Sequence, residues 1–183
     1  MPKRVDHEAR RAAISDAVMR LLARDGLEAI SLRHVAAEAG VSAGQVQHYF
    51  PSKDSMMEYA AGAIAERIAT RVATAGPDPD LRQILTALLP TDADSAADAR
   101  SLIGYLAFAS VRPQVAATMA TNGRSFRDHL AAMLPDHPDS TTAADTLLAL
   151  LDGLALHATL GQISPARAHT LLTAAIDAAI AQR

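Results

Sequence analysis

Residues 31–53 predict two short helices joined by a tight turn, and no other stretch constrains the fold as strongly. The segment is SLRHVAAEAGVSAGQVQHYFPSK. Ser31 opens the first helix, and Gly40 falls where a chain leaving a helix favours a left-handed residue. Ser42 is a good N-cap, and Gln45 three residues later completes a capping-box spacing. This pattern is typical of a helix-turn-helix unit, which places its second helix in the major groove of DNA.

The rest of the chain is predicted to be all-α. No stretch alternates apolar and polar residues for long enough to indicate a strand, and apolar residues recur mostly at spacings of three and four. Asn122-Gly123 resembles a turn, but the apolar period continues across it, so one helix is expected there. Nine helices are predicted. Eight of them lie at about 6–25, 32–39, 43–49, 52–74, 80–89, 93–111, 141–160 and 165–181. The seventh in chain order begins at 113 and continues past 123.

Composition excludes several classes of protein. The absence of cysteine excludes disulfides, thiolate zinc sites and cysteine nucleophiles. No apolar run is long enough for a membrane span and no signal peptide is evident, so a cytoplasmic location is expected. A phosphate-binding loop, a His-Glu-x-x-His motif and a nucleophile elbow are all lacking, and His129 and His137 have poor metal spacing. We therefore expect neither an enzyme nor a bound cofactor or metal.

The net charge of −3 is unevenly distributed. Residues 1–71 carry a net charge of +1, whereas residues 72–183 carry −4. Affinity for DNA would therefore depend on the local placement of a few cations and not on a generally basic domain.

The N-terminal pattern resembles the TetR family of transcriptional repressors over about residues 10–60. The residues that carry the likeness are Ser31, Val35, Ala36, Ala39-Gly40-Val41-Ser42, Gly44, Val46, Tyr49-Phe50 and Ser52-Lys53. A looser likeness to actinobacterial regulators of this kind rests on residues 151–156, Leu-Asp-Gly-Leu-Ala-Leu. The resemblance implies a helix-turn-helix DNA-binding domain at 1–55 and a ligand-binding and dimerisation domain at 56–183, with the fourth helix as connector.

The resemblance also implies roles for individual residues. The third helix would be the recognition helix, with its groove-facing positions at Ser42, Ala43, Gly44, Gln45, Gln47 and His48. Tyr49 and Lys53 would contact phosphates, Arg33 a base edge or a phosphate, and Lys3 and Arg4 would form a flexible arm. Three of these roles have a simpler alternative. Gln45 could serve only to close the capping box, His48 could be an ordinary surface residue, and Tyr49 could be a core aromatic.

The C-terminal helices are expected to form a homodimer interface. The eighth helix is apolar on most sides, so it must be covered on most sides, either by a second subunit or by its own chain. The resemblance implies a four-helix dimer interface. Its predicted members are Leu147, Leu150, Leu151, Leu154, Ala158, Leu172 and Ile176.

A small-molecule effector is expected to bind among helices 4 to 8. The candidate lining residues are Tyr105, Phe108, Arg112, Met119, Phe126 and His157. A lone histidine on an apolar helix is often only a core residue, so His157 has that alternative. The whole chain is thus predicted to be a ligand-responsive repressor that binds a pseudo-palindromic operator as a homodimer. The alternative is a DNA-binding or interaction module that senses no small molecule.

Overall fold

The computed structural model describes the backbone of residues 2–182 and the side chains of residues 7–182. Within these residues the chain is all-α, as the sequence predicts, and no helix is long and apolar enough to cross a membrane. The helices are α1 (Pro2–Asp25), α2 (Leu32–Ala39), α3 (Ala43–Tyr49), α4 (Lys53–Ala73), α5 (Leu81–Ala87), α6 (Ala93–Ser110), α7 (Pro113–Ala132), α8 (Ser140–Thr159) and α9 (Pro165–Ala181), with a 3-10 turn at Leu27–Ala29.

Local hydrogen bonds explain why α2 and α3 begin and end where the sequence predicts. The Ser31 hydroxyl accepts a hydrogen bond from the backbone N–H of His34 and caps α2. Gly40 ends that helix with φ of 66°, a left-handed conformation that glycine adopts without steric cost. Ser42 and Gln45 then form the expected capping box at the start of α3. The helix-turn-helix is therefore specified largely by its own residues.

The chain folds into two compact units. One contains Met1–Arg67 and Arg100–Val111, and the other contains Ile68–Ala99 and Arg112–Arg183. This structural division differs from the boundary expected at residue 55, because α4 and α6 each contribute residues to both units. The functional division into DNA-binding and effector-binding domains stays a prediction.

Contacts within the N-terminal unit explain why the second half of α6 belongs to it. The Ser101 hydroxyl donates a hydrogen bond to the backbone oxygen of Met19 at 3.0 Å, and Arg100 Nε donates to that of Ala23 at 3.1 Å. Gly104 allows close packing on α1, since an added Cβ would lie only 3.0 Å from a methyl group of Leu22. These contacts hold residues 100–111 against α1.

The C-terminal unit has its own hydrophobic core, and this core includes most of the predicted dimer-interface residues. Five of the predicted interface residues are buried within the single chain, namely Leu147, Leu151, Leu154, Leu172 and Ile176. The other two, Leu150 and Ala158, are partly buried against the same cluster. A side chain that is already covered by its own chain has little surface left to bury against a partner. The first five therefore belong to the core of their own chain, and their place in a dimer interface stays a prediction.

Candidate nucleic-acid interface

Helix α3 presents nearly all of its polar side chains to solvent. Its single inward anchor is Val46, which is fully buried, while the predicted groove-facing positions Ser42, Ala43, Gly44, Gln45, Gln47 and His48 are exposed. All six of these positions are therefore accessible to solvent. The exposed surface of α3 is wide enough for contact because only one side of this short helix enters the core.

The two glutamines of α3 differ in what their carboxamides can still bind. Gln45 Oε1 accepts from the backbone N–H of Ser42 at 3.1 Å, and Ser42 Oγ accepts from the backbone N–H of Gln45 at the same distance. Gln47 makes no such bond within the described part of the chain. Recognition of adenine by glutamine needs both the amide oxygen and the amide nitrogen. Only Gln47 offers both without breaking the cap of α3.

Tyr49 lies in a cluster of three rings at the end of α3. Its ring centroid is 4.6 Å from that of His7 on α1 and 5.2 Å from that of His48. Tyr49 is half-buried, so its ring takes part in packing. The sequence pattern did not indicate His7, because the contact joins residues more than forty positions apart. No local signal could have revealed this neighbour.

Lys53 is the first residue of α4, which begins in a well-capped turn. The Ser52 hydroxyl accepts from the backbone N–H of Ser55 at 3.0 Å, and the Ser55 hydroxyl accepts from that of Ser52 at 3.2 Å. Lys53 is half-buried, and its Nζ donates to the backbone oxygen of Leu27 at 3.4 Å. A lysine ammonium has three donors, so two remain for a phosphate. The predicted start of the helix at Ser52 is therefore correct to one residue.

Arg33 on α2 is exposed and, in the described part of the chain, forms no ion pair. Its predicted contact with a base edge or a phosphate stays a prediction. The predicted arm residues Lys3 and Arg4 lie outside the side chains that the structure describes.

A cation-π contact and a short hydrogen bond join α1 to α4 beneath the candidate interface. The Arg11 guanidinium lies 4.5 Å from the Tyr59 ring centroid and 5.4 Å from that of Phe50. Tyr59 Oη donates to Glu8 Oε1 at 2.5 Å, and this bond raises the pKa of Tyr59 because the carboxylate favours the protonated phenol. Arg11 therefore supports the packing of the unit.

An ion-pair network joins α2 to α1 on another part of the same unit. Glu38 accepts from Arg20 at 2.7 Å and from Arg24 at 3.1 Å, and Arg24 also pairs with Asp25 at 2.8 Å. The hydrogen bond from Arg20, followed by that from Arg24, lowers the pKa of Glu38. Arg24 likewise lowers the pKa of Asp25. These arginines are held by carboxylates and are not free for DNA.

The predicted effector residues are divided between the two units. Tyr105 and Phe108 are buried in the N-terminal unit, with stacked rings whose centroids are 6.2 Å apart. Burial raises the pKa of the Tyr105 phenol. In the C-terminal unit, Arg112 and Met119 are half-buried and His157 is exposed. Phe126 packs against the C-terminal core. An effector site formed by these residues stays a prediction.

Two family patterns match the chain. The pattern for bacterial regulatory proteins of the tetR family matches residues 14–60, and the pattern for the C-terminal part of BetI-type transcriptional repressors matches residues 77–181. Together they account for the helix-turn-helix and for most of the C-terminal unit.

Relatives agree with both patterns. The chain is 30% identical over 174 residues to the HTH-type transcriptional regulator PksA of Bacillus subtilis, a match that covers 89% of this chain and 85% of PksA. A transcriptional regulator of Rhodococcus sp. Rha1 has a crystal structure with 32% identity and a TM-score of 0.80, covering 93% of each chain. The multidrug binding protein EbrR, crystallised with ethidium, is 28% identical with a TM-score of 0.67, covering 91% of this chain and 98% of that one.

Proposed function

This chain belongs to the TetR family of bacterial transcriptional regulators, and from that premise we propose that it is a homodimeric repressor that releases a pseudo-palindromic operator when it binds a small molecule. The observation that carries the DNA-binding part of the proposal is the surface of α3. Six predicted contact positions are exposed there on a helix whose N-terminus is capped by its own residues. Two such helices, one from each protomer, would read half-sites about 34–36 Å apart.

Gln47 is the proposed reader of a base, and Lys53 is proposed to hold a phosphate. Gln47→Ala should reduce discrimination at one base pair per half-site by about 1–3 kcal/mol. Gln45→Ala should leave that discrimination intact and instead destabilise the chain by about 0.3–1.5 kcal/mol, because it removes a cap. Lys53→Ala should weaken binding to all sequences alike and lower the salt slope by about one unit.

The test begins with an operator selected from random duplexes by the purified protein. Binding of each variant is then measured on that operator and on its single-base substitutions, and thermal unfolding is measured in parallel. Equal loss on every sequence for Gln47→Ala would refute its role as a reader. The absence of any preferred sequence would refute operator binding itself.

The dimer is proposed to form through the exposed apolar residues at the C-terminal ends of α8 and α9. Leu156, Leu160 and Ile180 are 40%, 61% and 41% exposed in the single chain. Leu156 and Ile180 lie on the two helices that the sequence assigns to the interface, and Leu160 follows the last residue of α8. Burying the exposed part of each of these side chains against a second copy would stabilise the dimer by about 0.6–1.8 kcal/mol per side chain.

Effector binding is proposed on the likeness to EbrR, whose structure contains ethidium. The candidate residues remain Tyr105, Phe108, Arg112, Met119, Phe126 and His157. A molecule that releases DNA must bind the free protein more tightly than the complex, by the same factor that it weakens operator binding. A thermal-shift screen of small organic cations and anions, followed by operator displacement, tests this. Ligands that stabilise the chain without displacing DNA would favour the alternative of a regulator that senses no small molecule.

A further inference from the structure

Two histidines converge beside the proposed phosphate contact Tyr49, and only one of them lies on α3. We propose that His7 extends the DNA-binding surface onto α1, and that His7 and His48 take up protons when DNA binds. Operator affinity would then rise as the pH falls from 8 to 6. The inference rests on the proposed DNA-binding function and adds to it a contact residue and a dependence on pH.

The geometry places both imidazoles next to the same phenol. The His7 and His48 ring centroids are 6.4 Å apart, and the Tyr49 ring lies 4.6 Å from the first and 5.2 Å from the second. His7 and His48 are both exposed. A DNA backbone that reaches the Tyr49 hydroxyl would therefore pass close to both imidazoles.

Among the side chains that the structure describes, no carboxylate on the surrounding elements pairs with either imidazole. The charged groups on these elements are Glu8, Arg10 and Arg11 on α1, Arg33 on α2, and Lys53 and Asp54 on α4. Glu8 accepts the hydrogen bond of Tyr59, and Arg11 lies over the Tyr59 ring. Across residues 7–182, neither imidazole forms an ion pair or a hydrogen bond with the protein. A DNA phosphate would supply an anionic partner that the described residues do not provide.

The direction of the effect follows from linkage. Imidazole is the side chain that ordinarily changes charge between pH 5 and pH 8, and a nearby anion favours its charged form. If the complex holds more protons than the free components, its affinity increases as the pH falls. Each proton that is taken up changes the affinity by up to about tenfold per pH unit.

The experiment compares the full-length protein with His7→Gln, His48→Gln and the double variant. Glutamine keeps a hydrogen-bond donor but cannot gain a charge, so it removes the proton linkage alone. His169→Gln is the matched control, because His169 is an exposed histidine on α9 in the C-terminal unit. Operator affinity is measured at pH 6, 7 and 8 at one fixed salt concentration. Calorimetry in buffers of different ionisation enthalpy counts the protons that are taken up on binding.

The wild-type chain and His169→Gln should bind about tenfold or more tightly at pH 6 than at pH 8, with net proton uptake. Each single variant should lose part of this dependence, and the double variant most of it. The inference is overturned if the double variant keeps the wild-type pH slope, or if the wild-type chain binds equally well at both pH values. If His7→Gln keeps the wild-type dependence of operator affinity on pH while His48→Gln loses part of it, His7 is not part of the DNA-binding surface. Failure of the wild-type chain to select any operator would instead refute the proposed function.

Discussion

Gly44→Ala should separate the stability of the chain from its affinity for DNA, because the two should change in opposite directions. Gly44 is the second residue of α3 and has no left-handed backbone angle. A Cβ built at this position would have as its nearest neighbour the Ser42 hydroxyl, at 3.9 Å. The folded chain therefore has room for the methyl group, and the substitution creates no steric strain.

Removing a helical glycine reduces the conformational freedom of the unfolded chain. The gain in the free energy of unfolding should reach about 0.5–1 kcal/mol, and less if the first turn of α3 frays. On the proposed DNA-binding surface the same methyl group would occupy space that the DNA backbone or a base edge needs. Loss of one such contact costs about 1–3 kcal/mol for each half-site.

Gly123→Ala is the matched control. Gly123 lies inside α7, is exposed, and also has open space around the position of an added Cβ. This control should stabilise the chain by about 1 kcal/mol without weakening operator binding. Thermal or urea unfolding measures the first quantity, and fluorescence anisotropy with the selected operator measures the second. If Gly44→Ala binds the operator as tightly as Gly123→Ala does, the first turn of α3 does not approach DNA and the proposed orientation is wrong.

Two further predictions concern the C-terminal unit. Asp152 is an exposed residue, but part of its carboxyl is shielded from water, and this raises its pKa above the ordinary 3.8. The folded chain therefore disfavours the charged form, and Asp152→Asn should raise the melting temperature at pH 7 by a small amount. The gain should vanish below pH 3.8, where the folded and the unfolded chain both hold the proton. An equal gain at pH 3 and pH 7 would contradict this. Leu160→Glu should convert dimers to folded monomers at micromolar concentration in analytical ultracentrifugation, whereas Val111→Glu, at a residue 74% exposed in the N-terminal unit, should leave the dimer intact. A dimer that is unchanged by Leu160→Glu would exclude the proposed face.

The sequence predicts the helix-turn-helix accurately because its boundaries depend on local hydrogen bonds. The side chains of Ser31 and Ser42 each cap a helix by accepting a hydrogen bond from the backbone N–H three residues later. Gly40 ends α2 in a left-handed conformation. Such signals are contained within a few residues. The continuous α7 was predictable for a related reason, since a single exposed glycine costs about 1 kcal/mol and the apolar period across it outweighs that cost.

The partners of each helix could not be predicted from the same information. Helix α8 is apolar around most of its circumference. This pattern indicates that most of the helix is covered, but it does not indicate whether the same chain or a second subunit covers it. In the structure α7 and α9 pack against it, so Leu147 and Leu151 enter the core of their own chain. The same limit applies to His7 and Arg11, whose ring neighbours are about forty or more positions away. Periodicity identifies a face, whereas only tertiary structure identifies what the face touches.

The ion pairs of the N-terminal unit limit the number of arginines that are available to bind DNA. Arg20 and Arg24 are held by Glu38, and Arg67 pairs with Asp16 at 2.9 Å, so these arginines stabilise the unit. Among the described residues, the cations that remain on the helices around α3 are Arg10, Arg33 and Lys53. Each phosphate contact contributes about 0.9 to the logarithmic salt slope. Because these described cations are few, each proton gained beside Tyr49 would add appreciably to the positive charge that they present to DNA. This is the physical reason that the charge state of His7 and His48 should affect operator affinity.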